Sequence, residues 1–351
     1  MLNRSLGVFL LLAVATATAQ GQPRVAPTLT PQNSGTTMGL IAVSPVNPQV
    51  VWASGRGGTF TVTTDGGKTW TAGVVPGAEA LQFRDVEGVS AKVAYLQSIG
   101  ANPGDFRIYK TVDGGATWTL QFQNENPGAF YDCFAFWTPK KGISFSDSVD
   151  GVFPNLRITN GEDWEDISAN MPPALPGEAG FAASGTCVAT QGGRNAWIAT
   201  SASRILATRD GGDTWTAYDT PLWTSPAGGA FTVAFRNPWR GIVGGGDLVE
   251  TDRAGTATSS DGGMTWTLTN PPPVTGAIFG LAYAQGIGGG DGYGSRTVVV
   301  TANAGGAAWT PDEGTTWYPL PDVSGYWAVA FASPKAGWLV GTGGRILKIS
   351  F

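Results

Sequence analysis

The sequence predicts an all-β protein built from repeated units, and three observations support this prediction. An octapeptide of the form Thr/Ser-x-Asp-x-Gly-x-Thr-Trp occurs five times, and its tryptophans, with that of one degraded copy, lie 46 to 51 residues apart. The 351 residues include 52 glycines and 14 tryptophans but only 13% charged residues, which is typical of short strands joined by turns. Alternating runs such as residues 231–235 fit strands, whereas no apolar stripe at helical spacing stands out between the copies.

The octapeptide has the composition of a tight turn between two antiparallel strands. Its Asp side chain accepts local backbone hydrogen bonds, and its glycines adopt positive φ without steric cost. Its Trp begins the return strand, where a large ring can pack on a neighbouring sheet. The residues for which we predict this structural role are Asp65, Trp70, Asp113, Trp118, Asp210, Trp215, Asp261, Trp266, Asp312 and Trp317. Residues 159–164 form the degraded copy.

A repeat of about 50 residues indicates a propeller or a solenoid. Six copies give six four-stranded units, with strands in a typical unit at 230–235, 241–245, 257–260 and 265–268. Three further strands, at 326–331, 337–341 and 345–350, follow Trp317 and lack a fourth. We therefore predict a seven-bladed β-propeller in which residues 25–30 pair beside the last strand and so remove an exposed edge. A six-bladed ring is the alternative.

The first 19 residues have the features of a secretory signal peptide. Arg4 precedes an apolar stretch at 6–14 that is too short to span a membrane, and Ala17-Thr18-Ala19 is a small-x-small cleavage site. No Cys follows that stretch, so a lipid anchor is not expected. We expect residues 20–351 to form one propeller domain that is periplasmic or secreted, has no membrane span and acts as a monomer.

The two cysteines fit an exported protein. Cys133 and Cys187 lie at similar points of consecutive repeats, near the opening strand of a blade, where adjacent inner strands could bring them together. An oxidising compartment permits a disulfide between them. Two buried free thiols, acting as small apolar residues, are the alternative.

Composition excludes several kinds of chemistry. The chain has no histidine, so neither a Ser-His-Asp triad nor a His-based zinc site can be built. Two cysteines cannot hold an iron–sulfur cluster, and no Gly-x-Gly-x-x-Gly lies between a strand and a helix. We predict no cofactor and no metal, with a calcium loop at Asp247, Glu250 and Asp252 as a weak alternative. A net charge of −5 without a basic stripe does not suit nucleic acid.

The octapeptide is the Asp-box, and the chain from Gly39 to Phe351 resembles the Asp-box (BNR-type) β-propellers, which include sialidases and photosystem II assembly factors. Segments at blade starts, at 83–86, 132–136, 142–147, 184–187 and 245–247, resemble exported bacterial proteins grouped with the photosystem II stability and assembly factor family. That resemblance implies a chaperone-like binding protein without catalysis. Met38-Gly39-Leu40 stands where such relatives often carry Arg-Gly-Leu, so an anion-binding role there is not carried over.

Inner strands and the loops leading to them line the axial channel of a propeller, where ligands bind. We expect polar residues near the blade starts to converge on one mouth and to bind a peptide segment or a glycan. These residues are Arg84, Asp85, Asp132, Asp147, Ser184, Thr186, Asp247, Tyr293 and Ser295. The alternative is that each one only satisfies backbone groups where the inner strands crowd together.

A glycoside hydrolase of sialidase-like type is the alternative function. It needs two carboxylates facing one substrate bond, and a sialidase also needs an arginine clamp, for which only Arg84 can be nominated. The Phe-Arg-Ile-Pro segment of many sialidases is missing. The candidate acids are Asp85, Glu87, Asp132, Asp147, Asp150, Glu178, Asp247, Glu250, Asp252 and Asp291.

Overall fold

A computed structural model of the protein describes residues 26–285 and 295–351. These residues form seven four-stranded antiparallel sheets. The first strand of each sheet contacts the first strand of the next, and that of the last sheet contacts that of the first, so the sheets close into a ring. The prediction of an all-β, seven-bladed propeller is confirmed, and the six-bladed alternative is wrong. The predicted signal peptide lies outside the described residues.

The strands are numbered in chain order and grouped into blades from the channel outward. Blade 1 contains β2 (Leu40–Pro45), β3 (Val51–Gly55), β4 (Thr59–Thr63) and β5 (Thr71–Val74). Blade 2 contains β6 (Gln82–Gly88), β7 (Ala94–Ile99), β8 (Arg107–Thr111) and β9 (Thr119–Gln123). Blade 3 contains β10 (Tyr131–Thr138), β11 (Lys141–Ser146), β12 (Asn155–Ile158) and β13 (Trp164–Asp166).

Blades 4 to 7 repeat this order. Blade 4 contains β14 (Val188–Gln191), β15 (Asn195–Ala199), β16 (Arg204–Thr208) and β17 (Thr216–Asp219). Blade 5 contains β18 (Gly228–Phe235), β19 (Gly241–Asp247), β20 (Gly255–Ser259) and β21 (Thr267–Leu268). Blade 6 contains β22 (Gly280–Tyr283), β23 (Val298–Thr301), β24 (Ala307–Thr310) and β25 (Tyr318–Pro319). Blade 7 contains β26 (Tyr326–Ser333), β27 (Ala336–Gly341), β28 (Arg345–Ser350) and β1 (Thr28–Asn33).

Helical structure in the described residues is limited to three short 3₁₀ turns, at Pro103–Asp105, Ser168–Asn170 and Thr342–Gly344. No helix within 26–285 or 295–351 is both long and apolar enough to span a membrane.

The N-terminal strand closes the ring. β1 pairs antiparallel with β28 from Thr28↔Ser350 to Asn33↔Arg345, three residues further along the chain than the predicted start. Gln32 Oε1 accepts hydrogen bonds from the indole N–H groups of Trp70 in blade 1 (3.1 Å) and Trp338 in blade 7 (3.2 Å). One side chain of β1 therefore joins the two blades at the closure, and β28 has no free edge.

Each Asp-box connects its turn to the rest of its blade. In the box that begins at Thr208, the Thr208 hydroxyl donates to Asp210 Oδ1 (2.7 Å) and accepts the N–H of Gly212 (3.0 Å). Asp210 Oδ1 also accepts the N–H of Thr214 (3.0 Å). The Gly211 N–H donates to the carbonyl of Arg194, in the turn between β14 and β15. The other four complete boxes make the same set of bonds.

These bonds define the two faces of the ring. The turn face carries the Asp-box turns together with the turns between the first and second strands of each blade. The loop face, at the other end of every strand, carries the connections between blades and between second and third strands. Packing between the blades is aromatic: Trp197 is fully buried, stacks on Phe235 with ring centroids 3.5 Å apart, and donates its indole N–H to the Gly262 carbonyl (2.7 Å).

Candidate functional site

A β-bulge recurs at the loop-face end of the innermost strands. In five of them the pairing with the second strand skips one residue, which a bulge leaves unpaired and re-aims. The skipped residues are Ile41, Arg84, Asp132, Phe231 and Trp327. Phe279 is placed similarly, because its N–H donates to the carbonyl of Thr301, the residue that also pairs with the following Gly280. Two of the sequence-predicted mouth residues, Arg84 and Asp132, occupy bulges.

Residues 181–187, which we call the crossing segment, lie across the axis on the loop face. The Ala182 carbonyl accepts a hydrogen bond from Arg84 Nη1 of blade 2 (2.9 Å). The Ser184 hydroxyl donates to the carbonyl of Phe279, next to blade 6 (2.5 Å). Blades 2 and 6 lie on nearly opposite sides of the ring, so the segment narrows the channel at this end. Its last residue, Cys187, forms a disulfide with Cys133 of β10, with Cα atoms 6.0 Å apart.

Aromatic rings surround the crossing segment. Phe181 stacks on Phe231 with centroids 3.6 Å apart, Phe231 faces Phe279 at 6.0 Å, and Phe279 contacts Trp327 at 5.1 Å. The guanidinium of Arg84 lies over Trp327, 5.5 Å from the ring centroid. Arg84 also bonds to Ala182, which follows Phe181 in the chain. These side chains therefore form a continuous series of contacts around the crossing segment. The loop-face mouth is therefore closed by packed side chains.

Three arginines, Arg56, Arg84 and Arg345, form what we call the arginine surface on the loop face of blades 7, 1 and 2. Arg56 pairs through its backbone with Gln82, whose side-chain oxygen accepts from Arg84 Nη2 (2.9 Å). Arg345 lies over Tyr326, 5.1 Å from the ring centroid, and Nε donates to the Thr342 carbonyl (3.0 Å). Arg56 and Arg345 are exposed and Arg84 is half-buried.

The arginine surface is electrostatically unbalanced. No carboxylate of the described residues lies within 4.0 Å of any of the three guanidinium groups, whereas Arg204 and Arg253 on the same face have acidic partners. Burial lowers the pKa of Arg84 to about 10. The positive charge of Arg56 also lowers this pKa, whereas the nearby Asp132 raises it. The Arg84 side chain therefore remains cationic at neutral pH.

Three of the sequence-predicted acids lie beside the crossing segment: Asp85 and Asp132 are buried, and Asp147 is partly buried. Asp85 accepts the N–H groups of Val86 (2.8 Å) and Phe134 (2.9 Å), and burial raises its pKa well above its ordinary value. Asp132 is 2% exposed; burial raises its pKa, the neighbouring Asp147 raises it further, and the Ala182 N–H and Arg84 oppose the rise. Burial also raises the pKa of Asp147, which accepts the Gly180 N–H (2.8 Å). These carboxyls adjoin the crossing segment, and of the three only Asp85 also lines the axial cavity.

The remaining predicted mouth residues have separate roles. The Thr186 hydroxyl bonds to that of Ser184 within the crossing segment and to that of Thr232 in β18, each at 2.7 Å. Asp247 accepts from the N–H groups of Val249 (2.7 Å) and Glu250 (2.9 Å) and from Ser225, and so closes its own loop.

One of the predicted mouth residues, Ser295, is not brought to this mouth. Ser295 follows β22, which ends on the turn face, where the Ala284 N–H donates to the Thr297 carbonyl; the structure therefore separates it from the others. Tyr293 lies outside the described residues.

The alternative sites gain no support from these contacts. Glu250 and Asp252 pair with Arg253, and no group of three or more Asp, Glu or Cys side chains within the described ranges is arranged to hold a metal. An exposed tryptophan can stack on a sugar, but Trp223 already has Arg253 over its ring at 4.3 Å. Trp239 likewise has Arg209 at 5.9 Å.

Below the crossing segment, a cavity of about 360 Å³ extends along the axis to the turn face. Its charged lining residues are Asp85 and Glu87, and no Lys or Arg of the described part of the chain lines it. Burial raises the pKa of Glu87 from 4.5 to about 8. The nearby titratable groups that Glu87 affects are Asp85 on its own strand and Tyr95 on β7.

Glu87→Gln is expected to flatten the pH dependence of the free energy of unfolding between pH 4.5 and 8. A carboxyl with a raised folded-state pKa stabilises the fold below its unfolded pKa, and this contribution is lost as pH rises through the folded pKa. Removing it should change the difference in stability between pH 4.5 and 8 by a few kcal/mol, on the order expected for such a shift. Urea unfolding of both proteins across this range measures the effect; parallel curves would contradict it.

Sequence reasoning did not identify Arg56 and Arg345 as site residues. Both adjoin a Gly-Gly pair in the connection between the second and third strands of a blade, in Arg56-Gly57-Gly58 and Gly343-Gly344-Arg345. This shared Arg and Gly-Gly pattern in two consecutive blades was the sequence feature from which the two arginines could have been identified. It becomes meaningful only when blade 7 is known to lie beside blade 1.

Comparisons with known proteins agree on the fold. No family model matches the chain, and no curated protein matches it. Among solved structures, "YCF48 from Cyanidioschyzon merolae" is similar, with a TM-score of 0.65 and 16% identity over 93% of this chain and 99% of that one. "YCF48 bound to D1 peptide" has a TM-score of 0.61 and 18% identity over 92% and 97%.

The similarity extends to other propellers. The "WD40 beta propeller domain of Doa1" has a TM-score of 0.57 and 11% identity over 92% of this chain and 97% of that one. At these identities the comparisons show the β-propeller architecture over nearly the whole described ring. Function must be argued from the site.

Proposed function

We propose that this protein is a non-catalytic binding propeller that holds a segment of another polypeptide on its loop face and serves in the assembly of a protein complex. The observation that carries the proposal is the arginine surface, where Arg56, Arg84 and Arg345 lie on the loop face of three consecutive blades with no carboxylate of the described residues within 4.0 Å. Guanidinium groups bind carboxylates bidentately, and the adjoining, partly exposed Trp327 provides apolar contact. A peptide carrying acidic side chains or a free carboxyl terminus fits this surface.

Two further points support a peptide as the ligand. One structurally similar protein is YCF48 bound to D1 peptide, and blade-start segments resemble the photosystem II stability and assembly factor family. We also propose that the protein acts outside the cytoplasm, because residues 1–19 have the pattern of a signal peptide. N-terminal sequencing of the protein from exported fractions tests this; a mature chain that retains residues 1–19 would count against it.

The hydrolase alternative is not proposed. Asp132 and Asp147 are neighbours with an arginine nearby, but Asp132 is 2% exposed and interacts with the Ala182 N–H, and Asp147 accepts the Gly180 N–H. A glycosidase needs both carboxyls open to a substrate. These acids instead contact the backbone of the crossing segment and of Gly180 beside it.

Replacing Arg56 and Arg345 with glutamine is expected to weaken peptide binding at least 30-fold, because hydrogen bonds to charged groups contribute roughly 1.5–3 kcal/mol each. The ligand would be selected from a random library of peptides with free carboxyl termini, and its Kd measured by fluorescence polarisation. Both arginines are exposed, so the variant should unfold at the wild-type temperature.

Arg253→Gln is the matched control for these variants. Arg253 lies on the same face but pairs with Glu250 (2.9 Å) and covers Trp223, so its loss should leave the peptide Kd within about twofold. Equal losses in both variants would indicate a general charge effect and would contradict a specific arginine surface.

A further inference from the structure

The seven innermost strands present one residue each to the axial cavity at a corresponding position. It is the third residue after the bulge in the strands that contain one. The residues at this position are Ser44, Glu87, Ala135, Ala189, Ala234, Ala282 and Ala330. All seven line the cavity and are partly exposed, while the next residue toward the turn face is buried in six of the seven strands. Six are Ala or Ser, so Glu87 is the single charged member of this ring.

The Glu87 carboxylate has no partner among the residues that the structure describes. It forms no hydrogen bond and no ion pair with any of them, and none of their cationic groups lines the cavity. The other acid in the lining is Asp85, and its two oxygens accept hydrogen bonds from the N–H groups of Val86 and Phe134. A carboxylate that is largely removed from water and has no partner costs stability, so its presence calls for a ligand that supplies the missing positive charge.

The shape of the cavity restricts that ligand. The small ring residues leave an axial space of about 360 Å³, with walls that include Val86, Val233 and Leu281. The crossing segment closes the loop-face end, so entry is from the turn face beside the partly exposed Trp137. A slender group with an apolar stem and a positively charged end fits such a space, because the stem contacts the walls while the charge reaches the carboxylate.

We propose that the axial cavity is a second binding site, which takes a primary alkylammonium group from the turn face with Glu87 as its counter-ion. One free carboxylate in a ring whose other members are Ala or Ser does not supply the six or more oxygen ligands that Ca²⁺ or Mg²⁺ requires. A flat guanidinium prefers bidentate or stacked contacts. The ammonium can belong to a free amine or to a lysine side chain, and this site is independent of peptide binding on the loop face.

The test is calorimetric titration of the whole protein at pH 8.5 with n-butylammonium and, separately, with N-acetyl-lysine methylamide. n-Butanol, which has the same stem without the charge, is the ligand control. We expect saturable binding of at least one amine and none of butanol. Glu87→Gln should weaken amine binding at least tenfold without lowering the unfolding temperature, whereas Arg56→Gln should leave it unchanged.

A rescue variant separates a binding role from a structural one. Ala234 holds the corresponding ring position on β18, so Glu87→Ala combined with Ala234→Glu returns a carboxylate to the same level of the channel. Recovery of amine binding in this double variant supports the proposal. Failure of both amines to bind the wild-type protein, or equal affinity for wild type and Glu87→Gln, would overturn it. The relative affinity of the two amines distinguishes a free amine from a lysine side chain.

Discussion

A protein consisting of residues 34–351 is expected to be much less stable than one consisting of residues 26–351, by roughly 5 kcal/mol or more. The shorter chain lacks β1, so all six residue pairs between Thr28–Asn33 and β28 are lost and the edge of blade 7 is exposed. It also lacks Gln32, which leaves the buried indole N–H groups of Trp70 and Trp338 without their acceptor. Thermal unfolding followed by circular dichroism measures the difference.

A permuted chain provides the control for this deletion. Thr28 pairs with Ser350, so residues 26–33 can be attached after Phe351 through a short turn and can form a hairpin with β28. This chain should recover most of the lost stability because the same strand occupies the same position. If residues 34–351 unfold at the temperature of the longer chain, ring closure by β1 does not stabilise the protein.

The double variant Cys133→Ser, Cys187→Ser is expected to lose about 4 kcal/mol of unfolding free energy, the chain-entropy value for a bridge across this length of chain. The two cysteines are 54 residues apart in sequence and almost completely buried. Their bridge joins blade 3 to the end of the crossing segment, so the loss should be local to blades 3 and 4 as well as global. Urea unfolding gives the free energy, and hydrogen exchange locates the change.

Reductant supplies the internal control for the disulfide. It should lower the stability of the wild-type protein toward that of the double variant and should leave the double variant unaltered. If the wild-type protein and the double variant have the same urea midpoint under oxidising conditions, the bridge contributes nothing to stability.

The fold was largely predictable because the Asp-box is a local device. Its Thr or Ser, Asp and Gly residues bond to one another within five positions, so the octapeptide specifies its turn independently of the ring. The missing fourth strand after Trp317 indicated closure by the N-terminal segment. The sequence did not determine where the closing strand begins: β1 begins at Thr28 rather than at residue 25.

The site was less predictable because it depends on contacts between distant blades. Arg84 and Asp132 were identified near blade starts, but only the pairing of β6 and β10 shows that both occupy bulges. Arg345 joins Arg56 only after blade 7 closes beside blade 1. Ser295 was assigned to the same mouth from its proximity to a strand end, although that end lies on the turn face. A repeat pattern predicts where each blade lies in the sequence. It does not predict on which face of the ring a given residue lies.

The central claim is that the loop face, at the arginine surface, holds the peptide. Photo-cross-linking tests it most directly, with a photoreactive phenylalanine placed at Met38, which is 49% exposed and adjoins Gly57 beside Arg56. The matched position is Met264, which is 42% exposed in the Asp-box turn of blade 5 on the opposite face. With the selected peptide, we predict cross-linking from Met38 that Arg56→Gln with Arg345→Gln abolishes, and none from Met264. Cross-linking from Met264 alone, or from Met38 regardless of the arginines, would contradict the account.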